Sequence, residues 1–235
     1  MTRAPRTTRH FYLYGGVAAA IIALVGFART FYLKTLFDTP PLTPLVHLHG
    51  LVMTTWVALF VVQTWLVAAH RTQVHRRLGL FGAGWALLVL VVGTTTGIEG
   101  ARLGHSPGPP PLKFLVVPLG DMVVFATLVG IGLYLRNRRE VHRRLMLLAT
   151  LGILMAAFGR LPLAFIQSHR PLVPFLLVDL VVLAFIAFDT FKHRRLHPAF
   201  GWGGGLILAS FPLRILLAQT EAWLQFAGWL VHARS

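Results

Sequence analysis

Residues 44–69, PLVHLHGLVMTTWVALFVVQTWLVAA, form an apolar run without one acidic or basic charge, apart from two histidines at its start. The run is 26 residues long, and a helix needs about 20 apolar residues to cross a hydrocarbon core of about 30 Å. Thr43 followed by Pro44 is a good helix start, an N-cap residue with proline at the first helical position. Residues 70–77, HRTQVHRR, then interrupt the apolarity with three arginines, and residues 78–98, LGLFGAGWALLVLVVGTTTGI, resume it. An apolar run, a short basic turn and a second apolar run make a transmembrane hairpin.

Outward from this hairpin the pattern repeats over all 235 residues. Spans are predicted at 11–28, 44–69, 78–98, 114–135, 145–166, 172–191 and 199–219, with a tail carrying Trp223 and Trp229 that either extends the last helix or lies in the interface. The fold class is therefore all-α: one polytopic membrane bundle of about seven helices in a single domain, 1–235. Composition agrees, with 56% hydrophobic and 12% charged residues against about 25% charged in a soluble domain. The first span follows Arg3, Arg6 and Arg9 and resembles a signal peptide. It is long for one, and no small-residue cleavage site follows, so it reads as a retained helix.

The net charge of +15 would point to nucleic acid in a soluble protein. Here the basic residues sit in short loops, and they set topology instead. Fourteen of the 22 Lys and Arg fall on the side of the N-terminal arm and of the 2–3, 4–5 and 6–7 loops; six fall on the other side. By the positive-inside rule the N-terminus is cytoplasmic and the C-terminus outside. The absence of cysteine excludes disulfides and thiolate metal sites.

Charges inside apolar runs are costly and carry the functional reading. Asp121, Arg160, Asp179 and Arg214 fall in the outer halves of four different spans, where they form either two ion pairs that lock helices together or a polar pocket open to the outside. His47 and His49 lie at the outer start of the second span and extend this expected cluster. Residues two apart point about 200° apart on a helix, so only one of the two faces the bundle. His49 shares a stripe with Met53, Trp56, Phe60 and Gln63, and Gly50 beside it lets a backbone or a flat ligand approach. A set of His47, His49 and Asp121 or Asp179 has the form of a two-histidine, one-carboxylate metal site. There is no His-Glu-x-x-His pattern for a zinc hydrolase, and the last span has no lysine for retinal.

On the basic side Val74-His75-Arg76-Arg77-Leu78 recurs as Val141-His142-Arg143-Arg144-Leu145 and as Lys192-His193-Arg194-Arg195-Leu196. These are either the turns of repeated hairpins or interfacial basic turns that contact anionic lipid phosphate. A b-type haem needs an axial histidine opposed by a second ligand. His49 is the expected outer ligand, with Met155 a weak partner. His75 and His142 are an expected inner pair, with the neighbouring arginines holding propionates.

The pattern His47-x-His49-Gly50, Gln63, His75-Arg76-Arg77-Leu78-Gly79 resembles uncharacterised bacterial multi-pass membrane proteins and, distantly, haem-binding bundles of the cytochrome b561 type. That resemblance implies a bacterial inner membrane location and paired histidines on facing helices. Three functions stand as expectations: small-molecule or proton-coupled transport or sensing, haem-based electron transfer, and a structural or assembly role with a membrane-protein partner or a second copy.

Overall fold

The computed structural model describes residues 6–233 and is helical throughout, with no strand among the described residues. Arg3 of the N-terminal arm and Arg234 of the tail, both used in the charge count, lie outside the described residues. Among the described residues seven helices are long and apolar enough to cross a membrane: His10–Tyr32, Pro44–Ala68, Thr72–Arg102, Pro111–Tyr134, Arg139–Phe158, Leu172–His193 and Pro198–Leu217. The chain is a multi-pass helical membrane protein. Its surface fits that solvent, since Leu24, Val25, Leu80, Leu87, Val91, Val123 and Leu180 all face outward, and a water-soluble monomer does not expose apolar area on this scale.

The elements are α1 (Arg6–Phe27), α2 (Pro44–Ala68), α3 (Thr72–Arg102), α4 (Pro111–Phe114), α5 (Val116–Tyr134), α6 (Arg139–Gly152), α7 (Met155–Phe158), α8 (Ala164–Ser168), α9 (Leu172–His193), α10 (Pro198–Leu217) and α11 (Glu221–His232). A π-helical turn, Ala28–Tyr32, follows α1. Side-chain caps set several starts. Thr43 accepts from the Val46 N–H, His197 from Ala199 and Thr220 from Trp223, each satisfying a donor that has no partner within its helix.

Helix α6 is the axis of the bundle. It packs against α1, α5, α9 and α10, and Leu145, Leu147, Leu148, Ala149 and Leu151 are all buried. Helices α2 and α3, and α5 and α6, pack as close antiparallel pairs, whereas α10 lies on α5 and α6 as well as on α9. The ends of the helices define two faces. The arginine-rich face carries the 2–3, 4–5 and 6–7 turns, and the opposite face carries the α3–α4 loop, α7, α8 and α11.

Three expected boundaries shift. The span expected at 145–166 ends at Phe158, because the helix breaks after Gly152 and resumes only as the short α7. The connection between the third and fourth expected spans, 99–113, is shorter than expected. Helix α3 continues through Arg102, and Pro111 opens α4, since proline fits a first helical position where no donor is needed. Of the two expectations for the tail, extension of α10 is not met. The tail turns at Thr220 and forms α11, held by Trp223, whose Nε1 donates to the Leu112 carbonyl at 2.9 Å.

Candidate functional site

Arg214 sits in the last turn of α10 and Asp121 in the second turn of α5. The Nη1 of Arg214 donates to Asp121 Oδ1 at 2.6 Å and to the Val117 carbonyl at 3.3 Å. The pair is almost sealed, with side-chain exposures of 8% and 12%. Sequence explains how two helices approach closely enough to make it. Residue 120 is glycine, and a Cβ there would lie 2.3 Å from Arg214 Nε. The guanidinium therefore lies close against the backbone of α5, and it also covers the Phe175 ring at 5.4 Å.

Buried ion pairs are stable only when the remaining donors are also satisfied. Nε and Nη2 of Arg214 make no hydrogen bond among the described residues. Beside them opens a groove of about 680 Å³ between α3, α5, α10 and α11. Its wall is apolar, built from Leu90, Val123, Leu213, Trp223 and Phe226, with Arg214 and Ser210 as its polar members from α10. Ser210 Oγ donates to its own helix at Ile207 O, 2.7 Å, so Arg214 supplies the groove's cationic donors. The size falls in the range of about 300–1,000 Å³ usual for ligand sites.

The other members of the expected outer cluster are placed elsewhere. No ion pair or hydrogen bond joins them to Asp121 or Arg214 among the described residues. Asp179, on α9, is half-buried and has no ion-pair partner among the described residues. Arg160 lies beyond the end of α7, outside the span. It is exposed, donates to Ala156 O at 3.0 Å and covers the Phe27 ring at 4.8 Å. His47 is exposed, with Nδ1 at 3.1 Å from Thr43 O. His49 points inward, and its buried Nδ1 has no hydrogen-bond partner. Gly50 is the close-approach position expected, and the flat group against it is the Phe31 ring, 2.3 Å from where a Cβ would stand. The stripe through Trp56 and Phe60 is buried.

A more extensive polar network lies on the arginine-rich face, and sequence reading does not single it out. Arg144 is 1% exposed and Asp189 2%. Nε and Nη2 of Arg144 donate to both oxygens of Asp189 at 2.8–3.1 Å, and Nη1 donates to Glu140 at its carbonyl and its carboxylate, 2.9 and 2.7 Å. All five N–H donors of this guanidinium are engaged. Glu140 also pairs with Arg143, which covers the Tyr12 ring at 4.9 Å. This network ties α1, α6 and α9 together. Between it and Asp121–Arg214 the core is uncharged: Val52, Val89, Phe125, Leu128, Leu147, Leu148 and Val182 fill the middle of the bundle.

The haem expectation is overturned. Among the described residues no group of three or more His, Cys, Asp or Glu is placed to hold a metal ion, and the two-histidine, one-carboxylate set falls with it. His75 and His142 do approach, with ring centres 6.4 Å apart. However, in the amide orientation that satisfies both the Gly79 N–H and the His75 carbonyl, Gln63 donates to His75 Nδ1 at 2.6 Å. The imidazole proton is then on Nε2, and no lone pair is left for iron. His142 and His193 each bond through Nδ1 to a backbone carbonyl, Gly132 O and Asp189 O, both at 2.8 Å.

Compared with known proteins, the chain matches no family model, no curated protein and no solved structure.

Proposed function

We propose that this is a bacterial inner-membrane protein, N-terminus in the cytoplasm and C-terminus outside. In this reading it binds a lipid-soluble amphiphile in the groove beside Arg214, as the recognition step of a transport or sensing role. The observation that carries the reading is the contrast between two arginines. Arg144 has every donor matched by protein and serves structure. Arg214 is also buried, but two of its three nitrogens make no hydrogen bond among the described residues, beside an apolar groove. A ligand with an apolar body and an acceptor head group, such as a carboxylate or carbonyl, meets both needs. The uncharged middle of the bundle favours binding over a continuous proton relay. On the cytoplasmic face the exposed Arg76, Arg77, Arg194 and Arg195 are suited to anionic lipid phosphates, whereas Arg144 is committed inside.

Photolabelling in native membranes with a diazirine-bearing fatty acid tests this. Labelled peptides are expected from α5, α10 and α11. Arg214→Gln is expected to reduce labelling about tenfold, the loss of one charge-assisted hydrogen bond. Equal labelling in wild type and variant would sink the proposal. The Asp121–Arg214 bond between α5 and α10 also supports a purely structural reading. Under that reading Asp121→Asn and Arg214→Gln lower the melting temperature and leave labelling unchanged.

A further inference from the structure

The first two histidine-arginine-arginine turns bring His75 of α3 and His142 of α6 together, with ring centres 6.4 Å apart and planes at 74°. At that separation no nitrogen of one ring can reach hydrogen-bonding distance of the other. The protein occupies one nitrogen of each ring and does so in opposite senses. The Gln63 oxygen accepts from the Gly79 N–H at 2.9 Å, so its NH₂ is turned to the His75 carbonyl at 3.2 Å and to His75 Nδ1 at 2.6 Å. An amide NH₂ can only donate, hence His75 Nδ1 is the acceptor and its proton is on Nε2. His142 Nδ1 faces the Gly132 carbonyl at 2.8 Å. A carbonyl can only accept, hence His142 carries its proton on Nδ1 and, when neutral, has a lone pair on Nε2. Neither Nε2 makes a hydrogen bond among the described residues, and neither is among the sealed, unpartnered atoms of the interior.

We propose that His75 and His142 form a donor–acceptor site for one hydroxyl group, supplied by water or by a lipid-soluble alcohol. The site is separate from the Arg214 groove and stands without it. A hydroxyl accepts from His75 Nε2–H and donates to His142 Nε2 at once. A carbonyl satisfies His75 alone, and a metal cation meets the proton on His75. Gln63 is the positioning residue, since it sets which ring gives and which receives. It comes from α2, so the α2–α3 and α5–α6 hairpins build the site jointly.

Histidine-selective ¹⁵N labelling of the full chain in lipid nanodiscs reads the tautomers directly from two-bond nitrogen–proton couplings in mildly alkaline buffer. The His75→Asn and His142→Asn variants assign the peaks. The expected result is an Nε2–H tautomer for His75 and an Nδ1–H tautomer for His142. n-Decanol is the alcohol probe. If it shifts both Nε2 resonances, the hydroxyl is an alcohol's. If it shifts neither while both imidazoles show contacts to one slowly exchanging water, the hydroxyl is water's. Gln63→Leu is expected to redistribute the His75 tautomers and leave those of His142 unchanged. If Gln63→Leu does not fold, the wild-type tautomers still decide. A His75 proton on Nδ1, or the absence of both the decanol shift and the water contact, overturns the proposal.

Discussion

Arg144 and Arg214 occupy similar depths at opposite ends of the bundle, and substitution should separate them. Removing Asp189 leaves the Arg144 charge buried with Glu140 as its remaining carboxylate, and Asp189→Ala is expected to cost about 3–5 kcal/mol. The double change Arg144→Met with Asp189→Leu removes both charges and should recover most of that loss, because apolar replacements avoid the desolvation penalty. Thermal unfolding in detergent micelles measures both. His197, between spans, adds a pH dependence. Burial first, and then the Arg144 guanidinium, hold its pKa below the ordinary 6.5, with Glu140 and Asp189 opposing and Arg143 reinforcing. The folded state therefore favours the neutral ring, whose Nδ1 accepts from the Ala199 N–H at 3.1 Å. This contribution is intact above about pH 6.5 and is lost as pH falls from there toward the lowered pKa. His197→Asn, a cap that does not titrate, should flatten this part of the stability profile, as unfolding midpoints across that range will show. Asp121 and Arg214 are legible in sequence because each interrupts an apolar run. Asp189 is not, because it stands three residues before Lys192-His193-Arg194-Arg195 and reads as the polar end of a span. Only packing reveals that it turns inward to Arg144.

Helix boundaries follow from local chemistry where caps exist and fail where the chain breaks inside an apolar segment. Thr43-Pro44 marks the start of α2 to the residue, since the cap and the proline are both encoded locally. The end of the fifth span is not encoded that way. Residues 152–158 are apolar throughout, and only tertiary contact of α7 with α1 and α9 explains the break and the placement of Arg160 outside the span. Thr220 separates α10 from α11 by accepting from the Trp223 N–H at 3.2 Å. Thr220→Ala should cost about 1 kcal/mol and loosen α11 from the groove, which limited proteolysis at the α10–α11 turn would report. At the start of α2, Gly50→Ala forces a methyl group into the Phe31 ring, an overpacking expected to cost about 1–3 kcal/mol. Adding Phe31→Leu should return part of the loss. If Gly50→Ala alone leaves the unfolding midpoint unchanged, the close approach of the π-helical turn to α2 is wrong.

At the scale of the whole molecule, the seven crossings are legible because run length and basic punctuation are both one-dimensional signals. The polar sites are legible only in part, because which charges meet depends on how helices rotate about their axes. Thus Asp121 finds Arg214 across 93 residues, while Asp179, equally deep by sequence, pairs with neither arginine. Orientation has a direct test, since the chain has no cysteine and any introduced one is read without background. With a membrane-impermeant maleimide on intact cells, Ser106→Cys in the α3–α4 loop should be labelled and Asn137→Cys in the α5–α6 turn should not. The reverse pattern would invert the topology. The uncharged middle of the bundle has an electrical consequence. A membrane potential works on a protein by moving charge through the field, about 2.3 kcal/mol per elementary charge per 100 mV. Five of the seven spans carry no ionisable group within one turn of their midpoints; the exceptions are Asp121, near the middle of Pro111–Tyr134 and neutralised by Arg214 at 2.6 Å, and Asp179, about one turn from the middle of Leu172–His193. With Asp121 neutralised by its partner, the conformational balance is expected to differ between energised and de-energised membranes only as far as Asp179 moves through the field, and Asp179→Asn should remove that difference.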